Sequence, residues 1–444
     1  MKRQGRRVAL VAWYPPDNPA LPPFIPNMGL YRVAASLRAA GIAGLDLRIW
    51  DERSGGNSGG ASGGRDPETV AAEIAAFDPD IVGGSAFLWS LPQLAQVFVA
   101  LARDDPRRLM VLGGPSARPN MLAHAPFAAL DACRDVLVEG EGEAPMADLV
   151  ALGLRDGAAL GTVAGLTLRG AEGWRRTRPA PRAVMDALPS PYAQGLIPAG
   201  GIGLMETYRG CPLTCSFCEW GVMDAPKNVL SADAIAREFA AMEATGLRAL
   251  LLADAGLNLN AAAFSALRLA AERTGFLKTR ALITEVYPRS LTEEHLHFLE
   301  GVGAPHIGVG LQSFDDAVLR HVERRFDPSR LGGLLAALRS VAAVTTEIIM
   351  GLPGDTPERF RASFDRARAL GTGLRVYHCA VLPSALMARA PAADALDYDP
   401  VTLRMRQCRG WPAGSIDATA RLLTDEARAA GGATGDYFWV FPPA

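Results

Sequence analysis

The chain has 444 residues, 49% of them hydrophobic and 21% charged, with a formal net charge of −2. That length predicts two or three domains with substantial cores, and the near-neutral charge gives no electrostatic case for nucleic acid or an anionic membrane as partner. No apolar run approaches the ~18 residues needed to cross a bilayer, and six scattered cysteines do not make a secreted disulfide framework.

The start, MKRQGRRVALVAWYPPD, imitates an export signal because basic residues precede an apolar stretch. That stretch is only about six residues long and runs into Pro15 and Pro16, so a first β-strand is the better reading. With free thiols and no export signal, the expected location is the cytoplasm. Apolar strands at 8–13, 45–50, 80–87, 109–114 and 135–140 alternate with helical stretches near 28–40, 67–77, 91–104, 119–130 and 143–153. This alternation predicts a Rossmann-like, doubly wound parallel sheet over 1–153, with ligands beyond the carboxyl ends of its strands. The glycine–serine run at 54–64 reads as a mobile surface loop. Residues 154–198 form a connector with a hairpin over 162–179 and the turn-rich segment DALPSPY.

A second alternating series begins near Ile202, with strands at 202–208, 248–254, 280–287, 306–311, 343–350 and 375–382. Ser231 reads as a helix N-cap, and Thr356-Pro357 as a cap followed by proline at the first helical position. Six parallel strands are too few for an eight-stranded barrel, so 199–383 is expected to be an open (βα)6 partial barrel with its site at the C-terminal strand ends. Residues 384–444 are expected to form a small helical cap with an aromatic tail.

Cys211, Cys215 and Cys218 crowd into TYRGCPLTCSFCEWG, just after the first strand of this series. A structural zinc site usually shows paired CxxC or CxxC with HxxxH and four protein ligands. Neither pair exists here, and His124 and His295 lie far away in sequence. Thiolates also select iron–sulfur clusters, and a four-iron cubane normally takes four cysteines. Three would leave one iron open to a ligand that is not protein.

At this motif the chain resembles the radical S-adenosylmethionine (SAM) superfamily, which implies a 4Fe-4S cluster whose open iron is chelated by SAM. The resemblance also implies an electron donor such as a flavodoxin or ferredoxin. In the first domain no GxGxxG or GKS/GKT loop follows the first strand, so dinucleotide and P-loop readings are weak. The strand ends instead carry GGSAFLWS at 83–90, LGGPSARP at 112–119 and EGEGEAP at 139–145. These strings, with LPSP in the connector, resemble the cobalamin-binding domain fused to many radical SAM enzymes. The resemblance implies cobalamin contacts from Trp13, Tyr14, Ser85, Phe87, Leu88, Trp89, Gly113, Gly114, Glu139, Gly140, Glu141 and Gly142. The DxHxxG motif that gives cobalt a lower histidine is missing, as in many members of that family. Methylthiotransferases share the architecture but need three cysteines in the first domain, where this chain has Cys133 alone.

Within the barrel the resemblance places Phe217 at the adenine of SAM, Asp254 at its amine, Gln312 and Ser313 near its ribose, and Gly351 and Leu352 at an adenine-side turn. Alternation puts Glu285 and Tyr287 on one side of the sheet, as candidates for substrate orientation or proton transfer. Cys379, on the last strand, is a candidate hydrogen-atom donor, although a free cysteine is commonly a small buried hydrophobe. Taken together, the resemblance implies a cobalamin-dependent radical SAM methyltransferase acting at an unactivated carbon of a small metabolite or natural-product intermediate. A non-methylating cyclisation, ring contraction or rearrangement is the alternative, and a cobalamin- or redox-responsive binding protein a further one.

Overall fold

The computed structural model describes residues 6–14, 25–53, 65–131, 136–153, 157–222, 228–325 and 331–443; the run at 54–64 and Cys133 lie outside them. The chain divides into two compact units, the first built on Arg6–Tyr14 and Pro26–Pro198 and the second on Ala199–Asp399 and Leu403–Ala444. No helix of the described residues is long and apolar enough to cross a membrane.

The first unit holds β1 (Arg6–Tyr14), β2 (Leu45–Arg53), β3 (Ile81–Ser85), β4 (Leu109–Gly113), β5 (Val136–Val138), β6 (Leu166–Gly170) and β7 (Gly173–Arg176). They form one seven-stranded sheet in the order β2-β1-β3-β4-β5-β6-β7, whose first five strands run parallel. The chain steps outward from β1 to β2 and returns on the other side as β3, so the switch point of the sheet lies between β1 and β3. Helices follow where caps and periodicity set them. Asn27 accepts the Leu30 amide at 3.1 Å to start Met28–Ala39, and Asp66 accepts that of Thr69 at 3.0 Å ahead of Pro67.

Two expectations need correction here. The helix expected over 119–130 is broken into Pro119–Leu122, a short turn at Ala125–Phe127 and Ala128–Asp131. Pro126 explains the break, since it has no N–H to donate and its ring crowds the preceding turn. The hairpin of the connector is in the sheet, with β6 antiparallel to β5 and Val138 opposite Leu166. Leu166 and Leu168 share a buried cluster with Val136, Val138, Leu10 and Leu149, an apolar face that a free-standing hairpin would have left in water.

The second unit holds β8 (Ile202–Met205), β9 (Ala249–Leu252), β10 (Ala281–Val286), β11 (Ala304–Gln312), β12 (Ala343–Met350) and β13 (Gly373–His378). Each pairs in parallel with the next. The intervening helices start at the expected caps, with Ser231 Oγ accepting the Ala234 amide at 3.2 Å and Thr356 Oγ1 that of Arg359 at 3.3 Å. A small antiparallel pair, β14 (Asp397–Tyr398) and β15 (Met405–Gln407), precedes the helix Ser415–Ala429, β16 (Ala433–Thr434) and β17 (Phe438–Phe441).

The aromatic tail is therefore strand as well as cap. β17 runs antiparallel to β13, with Leu374 opposite Phe441 and Tyr377 opposite Phe438, and Phe438, Trp439 and Phe441 are buried. The eight strands make an open sheet, not a closed barrel, with β8 and β16 at its ends. Burial alternates along β10 and β13. Leu282, Thr284, Val286, Leu374 and Val376 are sealed on the helix side, while Glu285, Arg375 and Tyr377 occupy the inner face.

Candidate active site

The cysteine loop leaves the C-terminal end of β8 and is tied at once to the end of β9. Asp254 accepts the Thr207 amide at 2.7 Å, the Tyr208 amide at 3.4 Å and the Thr207 hydroxyl. Tyr208 Oη donates to the Gly256 carbonyl at 2.7 Å. Burial pushes the Asp254 carboxyl up to about 7, against the pull of those donors. Asp254, expected at the SAM amine, therefore spends its oxygens on bracing the entry to the loop. Cys211 and Cys215 are buried and Cys218 is half-buried. The Leu213 amide points at Cys211 Sγ at 3.4 Å, and the Cys218 amide donates to the Cys215 carbonyl at 3.1 Å. Burial raises the Cys211 thiol, with the Leu213 N–H opposing it and Cys215 close enough to add to it. Arg324 Nη1 stands 3.9 Å from Cys215 Sγ. Phe217, half-buried, lies between the last two cysteines.

Sequence reasoning named Glu285 and Gln312 here and missed Glu347, Arg375 and Arg324. Glu285 and Glu347 share a hydrogen bond, and burial together with their mutual repulsion raises the Glu285 carboxyl well above the ordinary range. Burial also raises Glu347, with Arg375 as the main opposing charge. Arg375 Nη1 lies 3.4 Å from Glu347 Oε1 and 3.2 Å from Tyr377 Oη. Gly308 and Gly310 open this space, because a β-carbon at Gly308 would sit 2.1 Å from Glu285 Oε1 and one at Gly310 2.6 Å from Gln312 Nε2. Gln312 takes a positive φ of 71°, and its Oε1, like Arg324 Nε, is buried without a hydrogen-bond partner. Charges inside otherwise apolar strands, VTTEIIM and LRVYH, were the available signal for Glu347 and Arg375.

Other expected residues are turned elsewhere. Tyr287 is buried, its backbone clamped on both sides by Asn258 at 2.8 Å and its ring 4.6 Å beneath the Arg324 guanidinium. Its hydroxyl donates to the Arg325 carbonyl, so it does not share the Glu285 cluster. Ser313 is fully buried against Ser363 at 3.4 Å and accepts the Asp315 amide, which closes it to a ribose. Leu352 is fully buried, and at Gly351 (φ 89°) a β-carbon would meet Ile416, Cys379 and Met405. Cys379 is sealed in that same packing; burial raises its thiol, with Cys408 nearby. It fills space as a small apolar group instead of facing the inner face.

In the first unit, Phe87 and Trp89 stack 4.7 Å apart at the end of β3, with Trp89 37% exposed. Ser90 Oγ holds their turn, accepting the Phe87 amide at 2.8 Å and donating to the Ser85 carbonyl at 2.9 Å. Ser85 also bonds Asn27 Nδ2 at 3.1 Å. Leu88 and Tyr14 are half-buried, whereas Trp13 is fully buried with its Nε1 unpartnered. Gly113 ends β4, and Gly114 (φ 102°) lets the next turn lie against the Ala86 backbone, where a β-carbon would come within 2.7 Å of the Ala86 oxygen. The GEGE turn corrects another expectation. Glu139 pairs with Thr167 and with Arg176 at 3.0 Å, and Glu141 accepts the Ala183 amide at 2.6 Å. Both carboxylates are drawn to the hairpin segment and the chain that follows it, leaving the backbone of Gly140 and Gly142 at the strand end.

These residues fit the groups that the motifs implied. Three thiols on one loop beside a guanidinium suit a cluster, in which each thiolate takes a different iron. No three His, Cys, Asp or Glu side chains among the described residues are arranged around a single metal ion. The orphaned Arg324 Nε and Gln312 Oε1, on side chains that pack over Gly310, offer a donor and an acceptor to an amino-acid-like ligand such as SAM. A flat stacked pair at the switch point, flanked by glycine turns, suits a broad planar ring such as a corrin.

Comparison with known proteins agrees. A model of the radical SAM superfamily matches residues 205–367, and a B12 binding domain model matches 21–150. The chain is 26% identical over 336 residues to 2-(S-pantetheinyl)-carbapenam-3-carboxylate methyltransferase of Streptantibioticus cattleyicolor, covering 69% of this chain and 48% of that one. It is 27% identical over 341 residues to the cobalamin-dependent radical SAM methyltransferase TokK of Streptomyces tokunonensis, with coverage of 69% and 48%. The chain thus spans about half the length of the curated relatives it matches. Its fold superposes on the radical SAM methyltransferase TsrM of Kitasatospora setae with a TM-score of 0.65 at 20% identity, over 86% of this chain and 75% of that one. A B12 binding domain model thus matches the sheet of the first unit, and a radical SAM superfamily model matches the cysteine loop and the open sheet of the second, the pairing that the name of the similar methyltransferase TokK describes.

Proposed function

We propose that the protein is a cobalamin-dependent radical SAM methyltransferase that moves a methyl group from SAM, by way of cobalamin, to an unactivated carbon of a small metabolite or natural-product intermediate. The observation that carries this reading is the three-thiol loop at the end of β8 in a chain that also holds a B12 binding sheet. When bound, the cluster supplies the electron that cleaves SAM, and cobalamin carries the methyl group.

The protein's own part is alignment and exclusion of water. Cys211, Cys215 and Cys218 each hold one iron, and Phe217 lies against the adenine. Arg324 would pair with the SAM carboxylate, and Gln312 would orient the nucleoside. Glu285 and Glu347, sharing a proton, with Arg375 and Tyr377, line the space where substrate is oriented. Phe87, Leu88 and Trp89 flank the corrin, and Gly113, Gly114, Gly140 and Gly142 let it approach the backbone. An electron donor such as a flavodoxin or ferredoxin reduces the protein in the cytoplasm, with neither nucleic acid nor membrane as partner.

The test is oxygen-free reconstitution of the wild type and of a variant with Cys211, Cys215 and Cys218 all changed to alanine. The wild type is expected to take up about four irons and, with cobalamin and a reductant, to convert SAM to 5′-deoxyadenosine and S-adenosylhomocysteine. The variant is expected to do neither. Equal iron uptake and equal SAM turnover in the two proteins would overturn the reading.

A further inference from the structure

The C-terminal segment is bonded to the cysteine loop chiefly through one side chain. Arg389 closes the short helix Leu386–Arg389, and its Nη2 donates to the carbonyls of Cys215 at 2.8 Å, Ser216 at 3.1 Å and Cys218 at 2.9 Å. Nη1 approaches the Thr214 carbonyl at 3.3 Å. One planar fork thus gathers four carbonyls of a loop that has little secondary structure of its own to satisfy them. The remaining Nε is buried without a partner, and no carboxylate pairs with Arg389 among the described residues, so its charge is directed at the loop alone.

The segment that carries Arg389 is itself held. The Ser384 amide donates to Glu219 Oε1 at 2.8 Å. Fully buried Asp394 accepts Arg409 Nε at 3.0 Å and lies 2.9 Å from His321 Nε2. The Gly354 amide donates to the Arg409 carbonyl at 2.8 Å, and Gly410 is so close to Asp355 that a β-carbon would sit 2.0 Å from its oxygen.

We propose that Arg389 is the positioning residue of the cysteine loop, fixing the turn that presents the thiols and placing an unbalanced positive charge against the loop backbone, which would make a cluster held by those thiols easier to reduce. The inference rests on the iron–sulfur reading above. Charge-assisted hydrogen bonds are about twice as strong as neutral ones, and a planar arginine fork cannot be copied by a lysine ammonium. Reduction adds a negative charge, which a nearby cation stabilises, and cluster potentials respond to net charge and hydrogen bonding.

Arg389→Met and Arg389→Lys separate the two roles. In the cluster-free proteins, amide hydrogen exchange over 211–219 is expected to speed up by about tenfold or more in both variants, since the charged hydrogen bonds that hold the loop are lost or weakened. In the reconstituted proteins, a redox titration followed by electron paramagnetic resonance is expected to show a more negative midpoint in Arg389→Met, largely restored in Arg389→Lys. Wild-type exchange and wild-type potential in Arg389→Met would overturn the proposal. If Arg389→Met holds no cluster, the exchange data on the cluster-free chain and the potential of Arg389→Lys decide it. A wild-type chain that takes up no iron would defeat the iron–sulfur reading instead, and the exchange comparison would still settle whether Arg389 holds the loop.

Discussion

Glu285 and Glu347 meet on a face that also holds Arg375, and the arrangement has a cost that pH exposes. Glu285 is held well above its ordinary value of 4.5 by burial and by its neighbour's charge. The folded chain therefore keeps a proton that the unfolded chain has released. Above about 4.5 the native state binds more protons than the unfolded one, so this site's contribution to stability falls as pH rises. Glu285→Gln removes the titrating group and keeps a hydrogen-bonding group of the same size. The variant is expected to melt higher than the wild type at pH 7, with the gap closing as pH falls toward 4.5, in thermal scans across that range. A lower melting temperature at pH 7 would mean that the ionised pair is stabilising. The same substitution is expected to weaken SAM turnover, the usual trade where a strained polar site serves function.

At the scale of elements, Gly114 bears most on the first unit's site. Alanine there meets both a φ of 102° and the Ala86 oxygen at 2.7 Å, so the turn after β4 has to shift, at a cost of about 1–3 kcal/mol. Gly114→Ala is expected to lose cobalamin in gel filtration while keeping the wild-type far-ultraviolet circular dichroism. Retained cobalamin would remove this turn from the site. Strand and helix positions were largely legible in the sequence because most strands hold a short apolar run and some helices begin at a readable cap, such as Ser231 or Thr356-Pro357. The cysteine loop was legible because its three residues are neighbours. Arg389 was not, because it lies 173 residues from Ser216 and no local spacing marks it. The hairpin's place in the sheet was hidden for a similar reason, since Leu166 gains its partner Val138 only through tertiary pairing. The glutamates of the GEGE turn misled because a short polar string does not say which way its side chains point. Only the hairpin that receives Glu139 reveals that.

For the molecule as a whole, the division into two compact units has a thermodynamic consequence. Each has its own sheet and core, so calorimetry is expected to resolve two unfolding transitions instead of one. Cobalamin at about 100 times its Kd is expected to raise only the transition of the first unit, by roughly 2.7 kcal/mol of stability. A single transition that cobalamin moves in one piece would show that the two cores melt together. The last strand imposes a different asymmetry. Because β17 is stitched antiparallel along β13, one margin of the second sheet is hemmed, while β8 has only β9 beside it among the described strands. Fraying of the second sheet is therefore expected to begin along β8, while the opposite margin is held by two added strands.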